Sequence, residues 1–463
     1  MGVQPRRYIV KVTAVGGLLC LISILYLYSS ASFRDSLPSF DSLFPSGRVR
    51  ASCTPEAWSQ GNWSYRPHFP NANLTLTDRT EAFKYNGLEG CASDREFWWH
   101  LGVDREEQWD RFPAVMDYEW VPGDECSGVR SLTGAALIKD LVEKGGWLVL
   151  GDSITENHFF SLSCTLFPHV RATPNYTENP YFDRAWAQNL YLSSKSPLLP
   201  TLNLPPGFSI EETPLVTFRR VDLLLSQYEL ESLHRSRNPS LYSSDSNFTL
   251  FSEEKFWSLS PSEYMPLFTS PLPQARYATL IVSTGGHWTT TVFGGLRNES
   301  RAEEGYGIDS VLELFRQGMT EWAEDVQRAL EEDRRIQMRK ALAGMVGGNF
   351  ANHIGGDSGR KTSGNSNDGE KPVEPWDEWH PYKWNWYNWP WISDMNSIFQ
   401  DILSSSSSYP DIHFLPIDRP ALLRPDAHAT GDCLHLLTGT GVLEGWTHYI
   451  WHFVTRELPG RIR

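Results

Sequence analysis

Ser153, Asp432 and His435 are the side chains in this sequence whose types and spacing fit nucleophilic catalysis. A serine hydroxyl becomes a nucleophile when a base takes its proton, and an imidazole serves as that base when a carboxylate fixes its tautomer. Asp432 and His435 sit within "GDCLH", so one short turn can carry both toward the same hydroxyl. Asp426 with His428 is a competing pair, and His448 and His452 are further candidates for the base. The order Ser, Asp, His is admissible because triads are defined by geometry.

Ser153 needs a mount. "WLVL" (Trp147–Leu150) is an apolar run of strand length that stops at Gly151-Asp152-Ser153, and "ITENHFFSLSCTLF" resumes a helical spacing through Phe159, Leu162 and Leu166. A buried parallel strand delivers its last residues to the carboxyl edge of a sheet, where open α/β sheets bind ligands. The following helix presents its N-terminal amides there, which suits an oxyanion. The plainer alternative is that Asp152 or Ser153 only caps the helix. A second Gly-Asp-Ser, in "GGDSG" with Ser358, has neither an apolar run before it nor a helical pattern after it. The strand, not the tripeptide, carries the signal.

The neighbouring segments extend this unit. "SLTGAALIKDLVEKGG" has the spacing of a helix that closes on Gly145-Gly146, and "YATLIVSTGGHW" (Tyr277–Trp288) and "DIHFLPID" (Asp411–Asp418) read as two further strands. Helix, strand, sharp turn and helix predict an α/β fold with a parallel sheet flanked by helices. Val311, Phe315, Met319, Trp322, Val326 and Leu330 form one apolar stripe, hence an amphipathic helix within Gly307–Leu342. Residues 343–371 read as a flexible Gly/Ser/Asn-rich insertion. The run "WHPYKWNWYNW" interleaves indoles with polar groups. Trp384, Trp386 and Trp389, with Trp288, are therefore candidates to stack on sugar rings, the alternative being burial in a core.

Composition bounds the setting. The chain has 463 residues, 40% of them apolar, enough for a large core in one big domain or two. A formal charge of −15 without a basic footprint argues against nucleic acid as partner. Residues 12–28, "VTAVGGLLCLISILYLY", would span about 25 Å as a helix. Arg6, Arg7 and Lys11 precede it, which puts residues 1–11 in the cytosol and the body in the lumen. A cleaved signal peptide is the rival, although the apolar run is long for one. Residues 29–52 read as a stalk and 53–463 as the lumenal domain. The sequons at Asn62, Asn73, Asn175, Asn247 and Asn298 all lie beyond the apolar span. Cys53, Cys91, Cys126 and Cys164 allow two disulfides in three possible pairings, with Cys433 left over. No Cys/His cluster has metal-ligand spacing.

"GDSITENHFFSLSC" followed much later by "DCLH" resembles the SGNH/GDSL hydrolase superfamily, specifically its PC-esterase branch with the trichome birefringence-like polysaccharide O-acetyltransferases. "WVPGDEC", "STGGHW", "DMNSIF" and "RPDAH" stand in the family's order, so the likeness runs from about Cys53 to His452. The resemblance implies an SGNH-like fold and a Ser153–His435–Asp432 triad. It further implies a Golgi-membrane type II enzyme that moves an acetyl group to hydroxyls of a polysaccharide or glycan through an acetyl-enzyme. No bound cofactor is implied; the acetyl donor, with acetyl-CoA as one candidate, is a co-substrate. Gly151, Asp152, Asn157, Gly286 and His287 fall at the oxyanion or near-site positions. An O-acetylesterase and a catalytically silent glycan-binding protein are the alternatives. The sequence departs from the pattern at Glu156, where Arg is usual, at the extra glycine of Gly285-Gly286, and at Leu436, where an aromatic is usual.

Overall fold

The chain divides into two units, 1–51 and 52–463. A computed structural model describes residues 52–67, 76–176, 187–345, 386–404, 407–429 and 434–458, all in the second unit, with the side chains of 335–345 excepted. The 12–28 apolar span, Asn73, Trp384, Asp432 and Cys433 lie outside the described residues, as does the insertion beyond Met345. Among the described residues no helix is long and apolar enough to cross a membrane.

A five-stranded sheet forms the centre, in the order β4-β5-β6-β3-β7. Its strands are β3 (Gly146–Gly151), β4 (Val170–Thr173), β5 (Gln188–Leu192), β6 (Pro214–Arg220) and β7 (Tyr277–Val282). Strand β3 pairs in parallel with β6 and β7, whereas β5 pairs antiparallel with β6 and with β4. The sheet is therefore mixed, a correction to the fully parallel expectation. The parallel part is the part that carries the Gly-Asp-Ser turn. A separate two-stranded sheet joins β1 (Asn62–Tyr65) to β2 (Tyr118–Val121).

Strand β3 is buried along its whole length. Alternation sends Trp147 and Val149 into one core and Leu148 and Leu150 into the other, so both faces of the sheet are covered. Each such side chain contributes roughly 1.5–3 kcal/mol on burial, which makes this strand's register costly to shift. Helices α2 (Gly134–Glu143), α3 (Ser153–Thr165) and α8 (Val442–His452) add Leu137, Leu141, Phe159, Leu162 and Trp451 to the first core. Helices α4 (Gln227–Arg237), α5 (Pro261–Phe268), α6 (Ile308–Met345) and α7 (Ile392–Leu403) build the second. The expected stripe of α6 is buried at Val311, Phe315, Met319, Trp322 and Val326, with Leu330 partly so. Helix α6 runs on to Met345, so residues 343–345 are helical and not part of a loop.

Asp411–Asp418 is not a strand. It has no sheet pairing among the described residues; Leu415 and Ile417 pack on the first core, and the Asp411 carboxyl accepts from Gln327 Nε2 at 3.0 Å. Among the described residues the disulfides are Cys53–Cys126 and Cys91–Cys164. Ser52, placed in the stalk by the sequence, already belongs to the body, since its hydroxyl donates to Glu457 at 2.8 Å.

Candidate active site

At the end of β3 the two readings of the turn are divided between neighbours. Asp152 is the N-cap of α3, its carboxyl accepting from the Ile154 amide at 3.0 Å. Ser153 is the first residue of the helix, and its Oγ lies 2.7 Å from His435 Nε2. Two glycines make the turn possible. A Cβ on Gly151 would meet Thr155 Oγ1 at 2.1 Å, and one on Gly286 would meet the Asp152 carboxyl at 2.7 Å. As the first residue of α3, Ser153 has no intrahelical acceptor for its amide, which suits an oxyanion donor.

His435 is mounted on a short pairing of the chain with itself. Its carbonyl accepts from the Ala429 amide at 3.0 Å, and the Leu437 amide donates to Ala427 at 2.9 Å. The Thr438 amide then donates to the carbonyl of His100 at 2.9 Å, which ties this loop to the helix α1 (Phe97–His100). The rival bases are engaged elsewhere. Asp426 forks onto Arg424 at 2.8 and 3.0 Å, while His448 contacts the Arg130 carbonyl and His452 contacts Glu457.

A cleft of about 500 Å³ opens over the pair, lined by Glu96, Phe97, Trp98, Trp99, His100, Ser153, Glu156 and His435. Sequence reasoning passed over the wall at "EFWWH", which has no period and whose place depends on contacts far along the chain. Trp99 meets His435 edge to face at 5.4 Å. His100 stacks on Phe160 at 4.2 Å and is held by Asn157, whose side-chain amide donates to Nδ1 at 2.8 Å, leaving the ring proton on Nε2. Asn157 itself is fully buried. It is not among the cleft-lining residues and holds one of them, His100.

Beneath the serine lies a buried ionic cluster. Glu156, one turn into α3, is 2.8 Å from Arg95 Nε and 3.9 Å from Arg220 Nη1, and accepts from Gln188. Arg220 also pairs with Asp222 and donates to His287 Nε2 at 3.2 Å. Burial pushes the Asp222 carboxyl up, against the lowering influence of His287 and Arg220. Arg95 and Arg220 thus reach the Glu156 carboxylate from elsewhere in the chain.

The indole candidates mostly serve packing. Trp288 is fully buried, stacked on Phe293 at 5.2 Å and edge-on to Phe315 at 4.9 Å, so it offers no face to a sugar. Trp386 lies under the Arg297 guanidinium at 3.9 Å. Trp389 donates to the Gly286 carbonyl at 3.4 Å and so abuts the loop beside Asp152. Neither lines the cleft. The sequon residues Asn62, Asn175, Asn247 and Asn298 are exposed. Comparison of the chain with protein-family models, with curated proteins and with solved structures found no match.

Proposed function

We propose that this protein is an O-acyltransferase that moves an acetyl group to hydroxyls of a polysaccharide or glycan, as the resemblance to the PC-esterase branch implies. The observation that carries the reading is the 2.7 Å contact between Ser153 Oγ and His435 Nε2, made across 282 positions at the floor of the cleft. In the proposed cycle Ser153 attacks the acetyl carbonyl while His435 takes its proton, and the leaving alcohol receives that proton as the acetyl-Ser153 ester forms. The acceptor hydroxyl then gives its proton to His435, attacks the ester and returns the serine. The Ser153 amide, with the Gly286 loop beside it, is the proposed oxyanion donor, and Asp432 the proposed orienting carboxylate. Two disulfides and exposed sequons support an oxidising, secretory-pathway setting such as the Golgi lumen, with 12–28 as the anchor.

The test is to incubate full-length wild type and Ser153→Ala with an acetyl ester, with and without oligosaccharides, and to follow enzyme mass and products. The expected result is an acetyl-enzyme and acetylated sugar from wild type, with the rate lowered by a factor on the order of 10⁴ or more in the variant. Free acetate in place of acetylated sugar would assign an esterase instead. Equal behaviour of the two proteins would leave a glycan-binding role and remove the catalytic one.

A further inference from the structure

We propose that Arg111 is a positioning residue for His435: its guanidinium clasps the ribbon that carries the base onto the cleft wall, and the reach of the imidazole to Ser153 depends on that clasp. This rests on the acyl-transfer reading above and adds to it a residue outside the triad.

The Arg111 side chain, at the end of the 3-10 helix Glu106–Arg111, meets three acceptors. Nη1 donates to the His428 carbonyl at 3.0 Å, and Nη2 donates to the Gly102 carbonyl and to Gln108 Oε1, both at 3.3 Å. The two carbonyls belong to elements already at the site. Gly102 closes the turn after α1, its amide donating to the Trp99 carbonyl at 2.9 Å. His428 stands opposite Leu436 in an antiparallel bridge. On either side of that bridge the Leu437 amide donates to Ala427 and the Ala429 amide to His435, so the bonds of its neighbours are used inward. Alternation in an antiparallel pair then turns the carbonyl of His428 itself outward. That outward carbonyl is the one Arg111 takes.

The contacts close a circuit. From Trp99 it runs to Gly102, through Arg111 to His428, across the bridge to Leu436 and back to His435, whose ring meets Trp99 at 5.4 Å. The other strand of the ribbon has its own tether, the Thr438 amide on the His100 carbonyl. With both strands fastened to one wall, the ribbon resists the roll that would swing His435 away from Ser153. The packing is close: a Cβ on Gly102 would meet Arg111 Nη2 at 2.7 Å and Leu437 Cδ1 at 2.8 Å. Arginine suits the task because two nitrogens of one plane reach two carbonyls at once, whereas an ammonium is a single point donor.

The test treats the full-length protein with diisopropyl fluorophosphate, from which Ser153 Oγ displaces fluoride while His435 takes the hydroxyl proton. Labelling is followed by intact mass across a pH series, with Ser153→Ala as the blank. The wild-type rate is expected to rise with pH and level off, the signature of a general base. Arg111→Met is expected to label at least about tenfold more slowly, the size of effect that small misplacements of catalytic groups produce, and to lose that profile. A merely structural loss would lower the amplitude and keep the shape. Arg111→Lys is expected to show the same change in smaller measure, and it keeps the test open should Arg111→Met fail to fold. Arg276→Met is the control. Arg276 likewise donates to two carbonyls, of Val142 and Glu143 at 2.8 and 3.0 Å, but beside Gly146 at the opposite end of β3 from Ser153, so its loss should leave rate and profile unchanged. Wild-type rate and profile in folded Arg111→Met, or equal slowing in Arg276→Met, would overturn the inference and leave the acyl-transfer reading standing. Absence of Ser153 labelling in the wild type would remove that reading and this inference together.

Discussion

Glu156 is a carboxylate with almost no access to water, held between Arg95 at 2.8 Å and Arg220 at 3.9 Å and bonded to Gln188. Desolvating three charged groups is costly, and the arrangement is favourable only because the charges meet one another. Replacing the carboxylate by an amide strands the buried Arg95 guanidinium, while Arg220 keeps Asp222, so Glu156→Gln should cost about 3–5 kcal/mol, far above a surface change. Urea unfolding of the single variant measures this. The double variant Glu156→Gln/Arg95→Met removes one stranded cation and should recover part of the loss, a coupling that a double-mutant cycle isolates. Additive losses would mean that the two residues do not form one unit. The same contacts satisfy a carboxylate that lines the cleft beside Ser153.

Contacts between helices α3 and α8 support the loop that brings His435 to Ser153. Ser161 donates to Glu444 at 2.6 Å, and Glu444 accepts from the amides of Gly439 and Gly441 at 2.9 and 3.0 Å, which closes the loop that begins at His435. One turn away, His158 Nε2 meets Thr447 Oγ1 at 2.8 Å, fully buried between the same helices. Burial pushes the His158 imidazole down to about 4, so it is neutral in the folded protein at any pH above that. In the unfolded chain the group titrates near the ordinary value of about 6.5, and there the unfolded state binds the extra proton. Its contribution is therefore complete above about pH 6.5 and is lost as the pH falls toward 4, roughly 2–3 kcal/mol by pH 4.5. His234, His448 and His452 are shifted the same way by burial and add to the slope. Urea midpoints of wild type and His158→Gln at pH 7 and 4.5 should converge as the pH falls, because the variant lacks this proton-linked loss; a constant difference would contradict the assignment. How much of this could be read in advance follows from range. The β3 turn, α2 and the α6 stripe have strong local periods and were legible. Strands β4 and β5 are four and five residues long and pair antiparallel at the sheet margin, too short and mixed to signal themselves. Asp411–Asp418 has a strand's composition but no sheet pairing among the described residues, and the wall at Glu96–His100 is placed by His435, Asn157 and the Cys91 bridge, none of them near it in sequence except the last.

At the scale of the molecule, the site is assembled from chain segments that only the fold and two crosslinks bring together. The cleft wall begins five residues after Cys91, whose bridge fastens it to the end of α3 at Cys164. The other bridge, Cys53–Cys126, secures the start of the body beside its last described turn, where the Cys53 amide and the Ser52 hydroxyl donate to Glu457 and Tyr449 donates to the Cys53 carbonyl. Each bridge joins residues 73 apart in sequence. On the chain-entropy account, loops of that length stabilise by roughly 4 kcal/mol each through the unfolded state. The two should then be alike in stability and unlike in function. Cys53→Ser and Cys91→Ser should both lower the urea midpoint by a similar amount. Only Cys91→Ser should also raise KM for an acetyl ester, because only it frees the wall of Trp98, Trp99 and His100 from the helix that carries Ser153. Activity measured well below the unfolding transition separates the two effects. Equal KM values in the two variants would mean that the wall is held by the Thr438–His100 and Asn157–His100 contacts alone.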